Sequence, residues 1–246
     1  FTGTVDMTGE GIDLMSPRTR LKAAVRMQRF SYDKYDLSDI SLTARVGGGR
    51  ITARADSKNA LLKGLLTVDA LTSGRTFRGT FGCDLERADL FKLHLVDEPL
   101  TVSLCGHVDV KTNFKQYYKV QGLLSDMTAW REKRSLRPDN IVFDLLTSAD
   151  TTHIVADCAD FHLNMEGQGG YQHLLKKSSN FWKELQHQLK NRHLNQARLR
   201  QRLPGARLYL KSGKNNLVSR ILKHFGYEIG KMSVNMASSP LAGLNG

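Results

Sequence analysis

The run Gly167-Gln168-Gly169-Gly170 stands ahead of Lys176-Lys177-Ser178, and glycines before a lysine-bearing helix are the residue types that cradle phosphate. The spacing does not fit that chemistry. A phosphate loop needs Gly-Lys-Ser/Thr contiguous, and a dinucleotide turn needs glycine at 172, where Gln172 stands. The stretch reads instead as a strand-to-helix bend. Eight histidines are scattered singly, with no HExxH or His-x-His pair to put two ring nitrogens on one metal. Cys83, Cys105 and Cys158 form no CxxC pair and read as small buried hydrophobes, which taken alone favours a reducing compartment. Asp84, Glu86 and Asp89 flank a short segment at 85–93, where pairing with Arg87 and turn capping account for them. No GxSxG elbow presents a nucleophilic serine. No catalytic residue, metal ligand or cofactor is assigned, and a non-enzymatic chain is expected.

The remaining candidate for polar recognition is charge. The formal net charge is +12. Between positions 171 and 203 eight lysines and arginines oppose the single acid Glu184, so seven of those twelve charges are local to one stretch. Within it Leu174, Leu175, Phe181, Trp182, Leu185 and Leu189 recur at helical spacing. The aromatics are expected on the packing stripe, with the cations spread over the solvent side. Lys176, Lys177, Lys183, Lys190 and Arg192 are the basic-surface candidates. A solvated face or an anionic membrane surface is favoured over nucleic acid, because the neighbours are strands and no helix-turn-helix is present.

Those neighbours follow a period of two. Ile40, Leu42, Ala44 and Val46 share one face, Ser41, Thr43 and Arg45 the other. Gly47-Gly48-Gly49 supplies a turn, and Ile51, Ala53 and Ala55 resume the apolar face. Further strands are predicted at 66–68, 77–85, 100–110, 117–124, 141–147, 153–158 and 161–165. Helices are few: a short one at 85–93, a long one after Gly167, a turn at 196–203, and an amphipathic one at 216–225 stopped by Gly226. Strands at 207–210 and 232–236 close the chain. This is a mainly β chain of antiparallel sheet, dry on one face, with its longest helix in the C-terminal third. Residues 1–166 form a repetitive β segment, and 167–246 a helical insertion with closing strands of the same domain. Few helices are available early to cover the apolar faces, so the sheet must curl, pair with another sheet, or offer that face to something else. No window reaches the apolar length of a membrane span, and the opening residues read as mid-strand, as in a piece of a longer protein.

Two stretches together carry a resemblance. Asp89-Leu90-Phe91-Lys92-Leu93 leads into Pro99-Leu100-Thr101-Val102-Ser103-Leu104, Gly106 and Asp109. Further on, the stretch 191–203 runs into Pro204-Gly205-Ala206-Arg207-Leu208-Tyr209-Leu210, then Gly213 and Asn216. Asn59 and Gly64 fit the same style of repeat. The chain resembles the AsmA/TamB family of Gram-negative envelope proteins, in its Bacteroidetes-type form. The resemblance implies a sheet curled into an open trough, the β-taco, whose dry inside carries phospholipid acyl chains. It implies a periplasmic segment of an inner-membrane-anchored protein whose anchor lies outside this sequence. It also implies a link to outer-membrane biogenesis and its assembly proteins. The lipid-groove candidates are Leu42, Ala44, Val46, Ile51, Ala53, Val68, Phe77, Phe81, Val102, Leu104 and Val108. The alternatives are an envelope scaffold whose same residues make a closed β core, and, less favoured, nucleic-acid binding through the basic helix.

Overall fold

The computed structural model describes residues 2–32, 35–131, 134–190, 195–214, 216–217, 219–220 and 231–238. Hydrogen-bonded strand order follows chain order almost throughout. The strands are β1 (Thr2–Glu10), β2 (Arg20–Tyr32), β3 (Tyr35–Gly47), β4 (Arg50–Lys58), β5 (Leu62–Ser73), β6 (Thr76–Asp89) and β7 (Thr101–Thr112). They continue as β8 (Tyr118–Arg131), β9 (Arg134–Leu136), β10 (Ile141–Thr147), β11 (Thr151–Cys158), β12 (Phe161–Gln168), β13 (Ala206–Ser212) and β14 (Met232–Ser238). The sheet is antiparallel and 14-stranded, and β9 leaves the path to pair with β8 alone. The path ends at β1 and β14, so it is not closed into a barrel. Helices α1 (Tyr171–Lys190) and α2 (Gln196–Arg202) lie between β12 and β13 in sequence, the longer one in the C-terminal third as expected. The chain divides into two compact units, residues 1–114 with 120–142, and 115–119 with 143–246.

In the first unit the alternating sequence becomes a register that keeps like with like. Leu21 pairs with Val46, Val46 with Ile51 and Ile51 with Ala70. The β3–β4 hairpin turns on Gly48 and Gly49, with φ of 60° and 77°. Two consecutive left-handed residues make the turn whose twist matches flanking strands, and glycine reaches it without a Cβ penalty. Gly49 is also short of space. A Cβ there would lie 2.6 Å from the Thr72 carbonyl oxygen, because the Thr72 N–H donates to the Gly49 carbonyl.

The segment 85–93 is not a helix. Strand β6 runs on to Asp89, with a register shift between Leu85, opposite Leu104, and Ala88, opposite Val102. The bulge places two residues, Glu86 and Arg87, between consecutive apolar positions, which imitates helical spacing. One turn follows, closed by the Lys92 N–H donating to Asp89 Oδ1 at 3.1 Å and the Leu93 N–H to the Asp89 carbonyl at 2.9 Å.

In the second unit, buried threonines fix the start of α1. Thr147 and Thr152, each 2% exposed, share a hydrogen bond of 2.9 Å. Thr152 Oγ1 donates to the Gly169 carbonyl, and Thr147 Oγ1 accepts the Tyr171 N–H, both at 2.9 Å. The N–H groups of Gly169 and Gly170 donate to the carbonyls of Asp150 and Ala149. Those donors are therefore occupied, and the glycine run is a packed bend. Leu174 is buried over Gly167, where a Cβ would approach its Cδ1 to 2.5 Å. Of the amphipathic segment at 216–225, residues 217, 219 and 220 are helical, while 218 and 221–225, with Gly226, lie outside the described residues. Asn216 caps the described part by accepting the Ser219 N–H at 2.7 Å.

Candidate functional site

The first unit carries a continuous apolar face. One row crosses the strands as Met7, Ala23, Ala44, Ala53, Val68, Phe81 and Val108, each opposite the next. A neighbouring row runs Val5, Val25, Leu42, Ala55, Leu66, Cys83 and Gly106. Leu124 of β8 extends it, its Cδ2 lying 3.1 Å from the Cβ position of Gly106. Val46 and Ile51 face Ala70 and Gly79 on one flank, and Leu85 and Leu104 pair on the other, next to Ala88 and Val102. Phe77 lies against Gly79, where a Cβ would come within 2.8 Å of its ring. Its ring centroid is 6.4 Å from that of Phe81 and 5.7 Å from that of Phe114. All eleven groove candidates therefore share one face.

This face is open. Among the described residues of the unit, the buried hydrophobics are Ala70, Ala88 and Leu93. Met7 is 68% exposed, Leu66 53% and Phe81 37%, and Leu42 is also exposed. The other groove candidates are half-buried. The substantial packing in the unit runs between hydrogen-bonded neighbours, β1 with β2 through to β6 with β7. Sequence reading missed the contribution of β1 and β2. Alternation in 20–32 is blurred by Ala24 among the polar positions, and in β1 the apolar Val5 and Met7 are set among threonines and glycines. The cross-strand partners Val25–Leu42 and Met27–Ile40 are what place β2 on the face.

The opposite face is charged and internally paired. Arg50 grips Asp69 with two hydrogen bonds, Nε to Oδ1 at 3.0 Å and Nη2 to Oδ2 at 2.6 Å. These bonds raise the pKa of Arg50 and lower that of Asp69. Thr80 donates to Asp109 at 2.6 Å, and His107 lies 3.4 Å from the same carboxylate. Cys105 stands on this face beside Asp84, while Cys83 stands on the apolar one. Of the three free cysteines Cys158 is buried, but Cys83 and Cys105 are only half-buried. Desolvation, then the carboxylate of Asp84, pushes both of these thiols up, away from reactive thiolate. Among the described residues no group of three His, Cys, Asp or Glu side chains is placed to hold a metal.

The basic candidates do not form one patch. Lys176, Lys183 and Lys190 are exposed, seven residues apart on α1, and so fall in a single row. Lys177 is half-buried on another side, and Arg192 lies outside the described residues. The expected packing stripe is also corrected. Leu174 is buried and Phe181 and Leu185 half-buried, but Leu175 is 65% exposed and Trp182 58%. The inner side of α1 carries Glu184 and Gln188 instead, 6% and 5% exposed. Glu184 accepts the Gln188 amide at 2.9 Å and meets Arg198 and Arg202 of α2 at 3.2 and 3.3 Å. That amide first, then the two guanidiniums, hold its carboxyl below the usual range. The lone acid of the basic stretch thus ties α2 back onto α1. No family model matches this chain, nor does any curated protein or solved structure.

Proposed function

We propose that the apolar face of β1–β8 binds phospholipid acyl chains, and that the chain is a non-enzymatic periplasmic segment of an AsmA/TamB-like envelope protein. Its role is to shield lipid in transit or to serve outer-membrane biogenesis within an inner-membrane-anchored assembly. The observation that carries this reading is the apolar register, seven strands wide and without a covering layer of buried hydrophobics, with side chains as large as Leu66 and Phe81 left partly in solvent. A scaffold with a closed core would bury those side chains.

The dimensions and energetics suit a lipid. Seven strands at about 4.8 Å spacing span roughly 29 Å, enough to lay an acyl chain across, since the chains of one leaflet fill about half of the ~30 Å hydrocarbon thickness of a bilayer. Covering the face with acyl chain stabilises by about 0.8 kcal/mol per buried methylene. Ten methylenes therefore contribute on the order of 8 kcal/mol before ordering costs. Such burial is nondirectional, so the face needs no precisely placed polar group.

The test is photocrosslinking with a photoreactive phenylalanine analogue at position 81 on the apolar face and, separately, at position 80 on the charged one. Lipid adducts, identified by mass spectrometry after detergent-free purification, are expected at 81 and not at 80. Equal labelling of the two positions, or none at 81, overturns the proposal.

A further inference from the structure

Helix α1 turns two unlike rows to solvent, and neither belongs to the apolar face of the first unit. At 100° per residue, Tyr171, Leu175 and Trp182 fall within about 40° of one another; Leu175 and Trp182 are well exposed, while Tyr171 keeps its ring edge-on to Tyr118 at 5.9 Å and shows 37% of its surface. Lys176, Lys183 and Lys190 form the adjoining row, about 80–120° further round the helix. Among the described residues no acid pairs with these three lysines, and the only acid of the helix, Glu184, is turned inward to Arg198 and Arg202. An exposed leucine and tryptophan are costly in water unless something apolar receives them. A cationic row beside them requires that the receiver also be anionic.

A bilayer surface with anionic headgroups meets both requirements at once. Tryptophan and tyrosine favour the boundary between acyl chains and headgroups, where an apolar body and a polar tip are both satisfied. Lysines bury their methylene stems and keep the ammonium among the phosphates. Nucleic acid answers the charge but offers nothing to Leu175. An acidic protein surface would have to present an apolar slot in register with the lysine row. We propose that the outer face of α1 is a docking surface for an anionic lipid bilayer, lying in the plane of the headgroups with Leu175 and Trp182 inserted.

The proposal is independent of the acyl-chain face and is tested apart from it. The full chain is floated with vesicles of phosphatidylcholine, pure or mixed with phosphatidylglycerol. Binding is expected only to the anionic vesicles, falling with salt and accompanied by a blue shift of Trp182 fluorescence in a Trp130→Phe background. The triple variant Lys176→Glu/Lys183→Glu/Lys190→Glu is expected to lose on the order of a hundredfold in partitioning. Leu175→Ser/Trp182→Ser should lose at least tenfold while retaining the salt dependence. Both variants alter exposed positions, and an unchanged circular dichroism spectrum confirms folding. Both should retain lipid crosslinking at position 81, which separates failure here from failure of the acyl-chain reading. Equal binding to pure phosphatidylcholine, full binding by either variant, or displacement by DNA in place of vesicle binding overturns the proposal.

Discussion

The two units differ in what surrounds their least exposed side chains. In the first, the apolar face is half-buried to exposed, and the described hydrophobics that are fully buried are two alanines and Leu93. In the second, the side chains that are most buried are polar: Thr147, Thr152, Glu184, Gln188, Ser212, Asn216 and Ser219. There the apolar partners at that depth are Cys158 and Leu174. Every buried side-chain nitrogen or oxygen among the described residues has a hydrogen-bond partner. The first unit also buries polar side chains, Thr19, Asn59, Thr72, Asp89 and Thr112, at its turns and strand ends, but it leaves an apolar surface for something else to cover. The second fixes helices and turns with completed polar networks, in which a missing partner costs more than the bond itself contributes.

Asn216 gives the most severe test of that contrast. Its Nδ2 donates to Asp160 Oδ1 at 2.8 Å, to the Gly213 carbonyl at 3.1 Å and to Ser212 at 3.2 Å, while its Oδ1 caps the following helix. Asn216→Ala removes the cap on the buried Ser219 N–H and a donor to the buried Ser212 hydroxyl and to the part-buried Gly213 contact, and should cost about 2 kcal/mol in urea unfolding. A cost typical of a surface site would mean that the network is ornamental. On the first unit the expectation reverses. Phe81→Asp should shift the unfolding free energy of lipid-free protein by less than about 1.5 kcal/mol, well short of the ~3–5 kcal/mol lost with a core phenylalanine. It should nevertheless reduce co-purified phospholipid at least tenfold by mass spectrometry. A full core-sized loss of stability would show that the face is packed in solution.

The mildest effect concerns pH. The folded pKa of Glu184 lies below its unfolded value, so its hold on α2 is complete above the ordinary glutamate range and weakens as pH falls through the folded value. Hydrogen exchange of α2, corrected for intrinsic rates, should be constant from pH 7 to about 5 and accelerate severalfold only below about pH 4. Acceleration near pH 6 would point to a histidine rather than to Glu184.

What the sequence disclosed was periodicity, and what it withheld was anything that interrupts periodicity. Leu42 through Val46, Ile51 and Ala53 could be assigned to one face because strand geometry forces alternate residues together. In the segment 85–93 that logic misled, since the bulge at Glu86 and Arg87 shifts apolar spacing from two to three. A second interruption is visible only with the backbone in hand. Leu-Ser-Asp occurs at 37–39 and again at 124–126, and both aspartates take a left-handed φ, 54° and 50°, with the preceding serine hydroxyl 3.2 Å from the carboxylate. Short polar side chains tolerate that region, but the tripeptide alone gives no sign of it. On α1, helical spacing correctly grouped Leu174, Phe181 and Leu185. Trp182 lies some 60–100° round the helix from those three, so counting it on the same stripe drew the apolar face too wide, and the buried acid on the inner side is legible only once Arg198 and Arg202 are seen to reach it.

The near-unbroken agreement between strand order and chain order also governs how this protein acquires its shape. From β1 to β12 most strands find their partner across a turn or short loop, so those closures cost little, whereas β13 and β14 must each be brought back across a longer stretch of chain. Strands can be added one after another to an existing edge as the polypeptide emerges, each new hairpin templated by the last. Stability then propagates between nearest neighbours, as in solenoid repeats, and unravelling starts at the ends of the array rather than at its middle.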